Sequence, residues 1–179
     1  MRYVAFLRAI NVGGHTVKMD RLRELFDDMG LRNVETFIAS GNVLFDSAAK
    51  PAPLEARIER QLERALGFPV AAFLRTAGEV RALGELDVFP GAAELPKPHL
   101  VQVGFLKAPL SAPARLTVHS LCDDVNHFRA IGRELHWHSA DRVTILRLTG
   151  PALERKLGAQ VTFRSVNTVR RLGGLLAAS

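Results

Sequence analysis

One cysteine, one tryptophan and one tyrosine occur in 179 residues, and aromatic residues make up 7% of the chain. With Cys122 alone no internal disulfide can form, which excludes the cross-linked scaffolds of small secreted domains. No stretch approaches the ~18 unbroken apolar residues of a membrane span. The opening Met1-Arg2 and the strand-like Tyr3 to Leu7 lack the length and flanks of an export signal. A reducing cytoplasm without a membrane partner is the expected setting. Glycine signatures of nucleotide enzymes are missing too: Gly13-Gly14 has no spaced third glycine and no Gly-Lys-Ser/Thr ending. No known catalytic signature appears. What is present is 47% hydrophobic residues, enough to build a core and to exclude general disorder.

Charge is unevenly placed. Lys plus Arg number 24 against 18 Asp plus Glu. Seven of the basic residues (Arg142, Arg147, Arg155, Lys156, Arg164, Arg170 and Arg171) fall in residues 142–179 with Glu154 alone, so 17 of each sign remain for the rest. The whole +6 excess therefore sits in the last fifth of the chain. Such a cluster attracts polyanions or phosphorylated ligands; the bland alternative is a solvated surface.

The local patterns alternate strand and helix. Arg2 to Ala9 reads as a strand, halted at Asn11-Val12-Gly13-Gly14. Met19, Leu22, Leu25, Phe26 and Met29 share one helical face, and Gly30 ends that helix. Val34 to Ala39 and Val43 to Asp46 are two strands around a Ser40-Gly41-Asn42 turn. Pro53 opens a second helix with the stripe Leu54, Ile58, Leu62 and Leu66, closed by Gly67, and Pro69 to Arg75 returns as a strand. The order β-α-β-β-α-β is that of the split βαβ, or ferredoxin-like, unit.

Ala77 to Leu83 reads as a connecting helix, and Phe89 through Pro98 as a breaker-rich junction. Beyond it, Leu100 to Leu106 is a strand, Pro113 to Cys122 a helix, and Asn126 to Ile131 with Glu134 to His138 a hairpin turning at Gly132-Arg133. Val143 to Leu148 is strand-compatible, Pro151 to Leu157 a short helix, Val161 to Phe163 a strand, and Val166, Val169, Leu172 and Leu176 mark a last helix. The predicted fold class is α+β: two ferredoxin-like halves packed together, 1–76 and 99–179, joined by 77–98, with antiparallel sheets and helices on one face. The element order repeats, with no evident residue-level repeat. Both faces of the first strands are apolar, so the face away from the helices needs covering by the second half or by a second subunit, a homodimer.

Two blocks, Leu7-Arg-Ala-Ile-Asn-Val-Gly-Gly14 continuing to Met19 and Leu22, and Ile38-Ala-Ser-Gly-Asn-Val43, resemble the bacterial family DUF1697. A third, Thr162-Phe-Arg164-Ser-Val-Asn-Thr-Val169, is similar to that family's C-terminal segment, with Ser165 and Val166 where the family has Asn and Trp. The resemblance spans essentially the whole chain and implies no reaction, since the family has none assigned.

In a βαββαβ unit the loop after the first strand, the hairpin between the second and third, and the loop before the fourth emerge at one end of the sheet. That end would gather Arg8, Asn11, Gly13, Gly14 and His15 with Ser40, Gly41 and Asn42, offering backbone N–H groups, amides and a cation to an anionic or polar ligand. The competing reading is that the glycines permit tight turns and the Asn side chains cap them. Asp20, near the helix start, would compete with a bound phosphate.

In the second hairpin His127 falls opposite His138 and Arg129 opposite His136 on one strand face, while Phe128, Ala130, Leu135 and Trp137 line the other. Arg129 makes that a poor metal environment, and neither metal nor cofactor is predicted. Ser40 and Cys122 have no visible base, and Cys122 beside Asp123-Asp124 reads as a buried structural thiol. An RNA-recognition platform is disfavoured because Asn42-Val-Leu-Phe45 lacks its exposed aromatics. The expected function is binding of a phosphate-bearing ligand, nucleic acid or nucleotide, through the glycine loops and Arg164, Arg170 and Arg171. The alternatives are a small-molecule enzyme or sensor at the same loops, and self-association.

Overall fold

The computed structural model describes residues 1–11, 14–96, 99–141 and 150–178. Its chain divides into two compact units, Met1–Val80 and Arg81–Ser179. Together they hold six α-helices among the described residues and two four-stranded antiparallel sheets, an α+β fold.

The first unit runs β1 (Arg2–Arg8), α1 (Met19–Asp28), β2 (Arg32–Phe37), β3 (Asn42–Asp46), α2 (Pro51–Leu66) and β4 (Ala71–Thr76), with sheet order β2-β3-β1-β4. Alternation along β1 sends Tyr3, Ala5 and Leu7 to the helix side, where they join Phe45, Leu74, Phe26, Ile58 and Leu62 in one buried cluster. The opposite face carries Val4, Phe6, Leu44 and Phe73, equally buried, with the polar Asn42 and Arg75. Pro51 occupies the first turn of α2, and Gly67, in the left-handed region at φ 80°, ends it by donating its N–H to the Glu63 carbonyl. β4 lies at the sheet edge, and Glu55 and Glu59 of α2 accept the Leu74 and Ala72 N–H groups at 2.8 Å each. Those carboxylates occupy donors that an exposed edge would otherwise offer to another strand.

β2 departs from the sequence reading. It ends at Phe37, two residues earlier than expected, because Ile38 turns into the left-handed region at φ 51°. The turn is thus Ile38 to Gly41, and Asn42 already belongs to β3.

The boundary between the units falls within α3 (Ala77–Glu85). Beyond a 3-10 turn at Ala92–Glu94, the second unit runs β5 (Leu100–Phe105), α4 (Ala112–Ser120), β6 (Asn126–Ile131), β7 (Glu134–Ser139), α5 (Pro151–Leu157), β8 (Thr162–Ser165) and α6 (Val166–Ala177). Its sheet order, β6-β7-β5-β8, repeats the first strand for strand. α4 begins one residue before the expected Pro113 and ends at Ser120, with the Ser111 hydroxyl accepting the Ala114 N–H. Phe128, Leu135 and Trp137 form the core with Val118, Leu153 and Leu157, and the Trp137 indole N–H donates to Asn126 Oδ1 at 3.1 Å. The strand expected at Val143 to Leu148 lies outside the described residues.

Superposing the two element orders uncovers a residue-level repeat that the bare sequence hides. β4 and β8 each run directly into a helix, and the joint reads Arg75-Thr76 followed by Val80, Arg81 and Leu83 from β4 into α3 and Arg164-Ser165 followed by Val169, Arg170 and Leu172 from β8 into α6. In both, a buried arginine donates from Nη1 to the carbonyl of the residue before it, Leu74 at 2.9 Å and Phe163 at 2.8 Å. In both, the next residue's hydroxyl caps the helix, Thr76 accepting from the Glu79 N–H at 3.2 Å and Ser165 from the Thr168 N–H at 3.1 Å. Val80 and Val169 are both fully buried.

Candidate functional site

The three loops at one end of the first sheet do meet. Asn11, following β1, donates from its amide to the Ala39 carbonyl in the hairpin at 2.9 Å and accepts the Val17 N–H on Oδ1 at 2.7 Å. One side chain thereby ties its own loop shut and fastens it to the β2–β3 turn. The Leu7 N–H donates to the Gly41 carbonyl at 2.8 Å, and a Cβ on Gly41 would stand 3.0 Å from that of Ile10. Only glycine admits both that approach and a φ of 72°. The third loop joins through His15, whose ring stacks on Phe68 just after α2, with centroids 3.9 Å apart.

Backbone strain gathers at the same end. Ala9 (φ 71°), Asn11 (φ 56°) and Ile38 (φ 51°) are three of the four non-glycine residues with positive φ among those described, and β-branched isoleucine is the costliest there. The packing of Ile10, buried at 3% exposure, and the Asn11 bonds hold this arrangement.

The expected site residues divide accordingly. Arg8, Asn11, Gly14, His15, Ser40, Gly41 and Asn42 belong to these loops or the strand ends beside them, while Gly13 lies outside the described residues. Asn42 is fully buried, its amide donating to the Phe37 carbonyl at 3.1 Å and to Ser40 Oγ at 2.9 Å. Asn42 therefore caps the turn and does not present its amide outward, the structural role weighed against ligand binding from the sequence. Both polar atoms of the Asn11 amide are likewise engaged within the loops. Arg8, half-buried, and His15, exposed, are ionisable side chains at this rim.

The basic C-terminal segment is less open than its composition suggests. Arg164 is 8% exposed, and burial pushes its guanidinium down to about 10. It donates to Thr162 Oγ1 and the Phe163 carbonyl, which makes it part of the strand-to-helix joint and not a phosphate contact. Arg170 pairs with Glu94 at 3.1 Å. Arg171 is exposed, and Arg142 and Arg147 lie outside the described residues.

In the second unit the hairpin register matches the sequence reading: His127 faces His138 and Arg129 faces His136. His136, expected on an exposed polar face, is 3% exposed, flanked by Val103 of β5 and Arg129 of β6. Its Nε2 has no hydrogen-bond partner among the described residues, and desolvation pushes its pKa down to about 4. Among the described residues no group of three or more His, Cys, Asp or Glu is arranged to hold a metal ion. Cys122 is exposed and not buried as expected, with the Phe128 N–H donating to its Sγ at 3.3 Å. No helix among the described residues is long and apolar enough to cross a membrane.

Two cavities of about 320 and 330 Å³ lie elsewhere. One lies between α1 and α2, beside Arg21 and Arg57, and the other beside Lys107, Ser111 and Gln160 in the second unit.

A duplicated βαββαβ order with a glycine-loop rim on the first copy defines the class of architecture. The chain belongs to the family described as protein of unknown function, DUF1697, whose model matches residues 1–136. Its fold is shared by the conserved bacterial protein SP0830 from Streptococcus pneumoniae, 24% identical, with a TM-score of 0.75 over 98% of each chain. No curated protein matches.

Proposed function

We propose that the chain is a binding module for a small phosphate-bearing ligand, held at the loop rim of the first unit. The observation that supports this reading is the Asn11 clamp: one side chain ties its own loop shut at 2.7 Å and fastens it to the hairpin at 2.9 Å, in a strained backbone, before any ligand arrives. A preorganised rim loses little conformational entropy on binding. Arg8 contributes a cation, and His15 on Phe68 a flat aromatic edge. A nucleotide-sized ligand suits this rim better than a polymer, because the buried Arg164 takes away one of the three cations on which a polyanion contact was expected.

Thermal unfolding in the presence of inorganic phosphate and of nucleoside mono-, di- and triphosphates tests the reading. Stabilisation is expected in the wild-type chain and is reduced in Arg8→Ala, His15→Ala and Asn11→Ala. Equal stabilisation in all four proteins would put the ligand elsewhere, and no shift with any of these compounds would remove the proposal.

A further inference from the structure

His127, His136 and His138 share one strand face of the second unit, and His99 approaches them from ahead of β5. His99, just ahead of β5, approaches His138 of β7 with 3.2 Å between Nδ1 and Nε2. The two ring centroids are 5.5 Å apart and the planes 16° from parallel. At that separation the rings lie end to end with the two nitrogens aimed at each other, the geometry of a linear N–H···N bond. His127 of β6 flanks His138 at 5.8 Å and 19°. Phe89, at the start of the junction segment, rests against His138 at 5.9 Å, and Arg129 of β6 sits over the Phe89 ring at 5.6 Å. His138 therefore touches both Phe89 and His99, the two ends of the proline-rich stretch between α3 and β5.

We propose that His138 and His99 form a single-proton latch that straps the junction segment to the β6–β7 face and releases it in mild acid. The contact needs one nitrogen with a hydrogen and one without. A first added proton goes to an outer nitrogen and leaves the N–H···N bond in place. A second must enter at the accepting nitrogen, which sets two N–H groups and two positive charges against each other. The surroundings sharpen this response. His127 and Arg129 face the pair from β6, His136 and Glu134 share its face of β7, and Arg164 of β8 lies across Val103 from His136. Asp123 interacts electrostatically with His127, and Asp87 lies two residues ahead of Phe89 on the strap itself. The pKa of His138 is held below its ordinary value, first by burial and then by His127 and His99. A depressed value in the folded chain means that the neutral latch stabilises the strap above pH ~6.5 and loses hold as the pH falls through that of the folded state.

Hydrogen exchange of the amides between Phe89 and Leu95, corrected for the intrinsic pH dependence of exchange, reads the latch directly. Protection is expected to fall about tenfold or more between pH 7.5 and 5 in the wild-type chain. It should stay level in His99→Gln and His138→Gln, whose amides do not titrate. An unchanged wild-type protection, or the same fall in both variants, overturns the proposal. Imidazole NMR titration of the wild-type protein needs no variant. Two linked steps shared by His99 and His138 are expected, and independent single titrations near the ordinary value would equally overturn it.

Discussion

His136 shows that alternation along a strand does not fix a residue's exposure. Alternation puts it on the polar face, but the imidazole is 3% exposed, and its Nε2 has no hydrogen-bond partner among the described residues. Burial lowers its pKa from 6.5 to about 4. The neutral ring favours the fold, so this stability is fully present above pH 6.5 and is lost as the pH falls from 6.5 toward 4. A displacement of that size corresponds to about 3 kcal/mol. Urea unfolding at successive pH values is expected to show a decline of that order across this window in the wild-type protein and a flatter one in His136→Phe. Identical pH profiles would mean that His136 is hydrated in the fold. Asn42 and Asn11 teach the complementary lesson: the sequence marks both as polar residues in turns, but whether an amide faces a ligand or a carbonyl depends on the loop opposite, which no local pattern reports.

At the scale of elements the helices were the most legible. Leu22, Leu25 and Phe26, and Leu54, Ile58 and Leu62, repeat at helical spacing, and Gly30 and Gly67 stop their helices with positive φ. The second hairpin was equally readable, since Gly132 at φ 56° fixes the turn and hence every pairing behind it. β2 was misplaced because nothing in the residue type announces that Ile38 will leave the strand. The repeated joint escaped notice because its shared positions are few and separated by dissimilar residues, while its physical content lies in the bonds they make. Those bonds predict a symmetric mutational response. Thr76→Ala and Ser165→Ala should each cost about 1 kcal/mol through loss of a helix cap, and each hydroxyl also has one further side-chain partner, Glu79 for Thr76 and Thr168 for Ser165. Urea midpoints of the two variants check this, and a neutral Ser165→Ala would show that α6 is held by packing alone.

Over the whole molecule, composition and structure disagree about the +6 charge, which the sequence concentrates in residues 142–179. Arg164 is buried and Arg170 is ion-paired, so the accessible field is weaker than the count implies. Heparin chromatography in a salt series separates the two views. Arg164→Ala is expected to elute with the wild type while unfolding at lower urea, whereas the double change of Arg170 and Arg171 to Ala should elute at lower salt. Earlier elution of Arg164→Ala would return that residue to the surface.

The paired strand-to-helix joints carry one more consequence. A chain that holds two versions of one design contains its own control experiment: features kept in both copies answer to folding, and features found in one copy answer to whatever task that copy acquired. By that comparison the arginine-and-hydroxyl corner is scaffold. The copies differ at the Asn11 fastening in the first and at the imidazole array in the second.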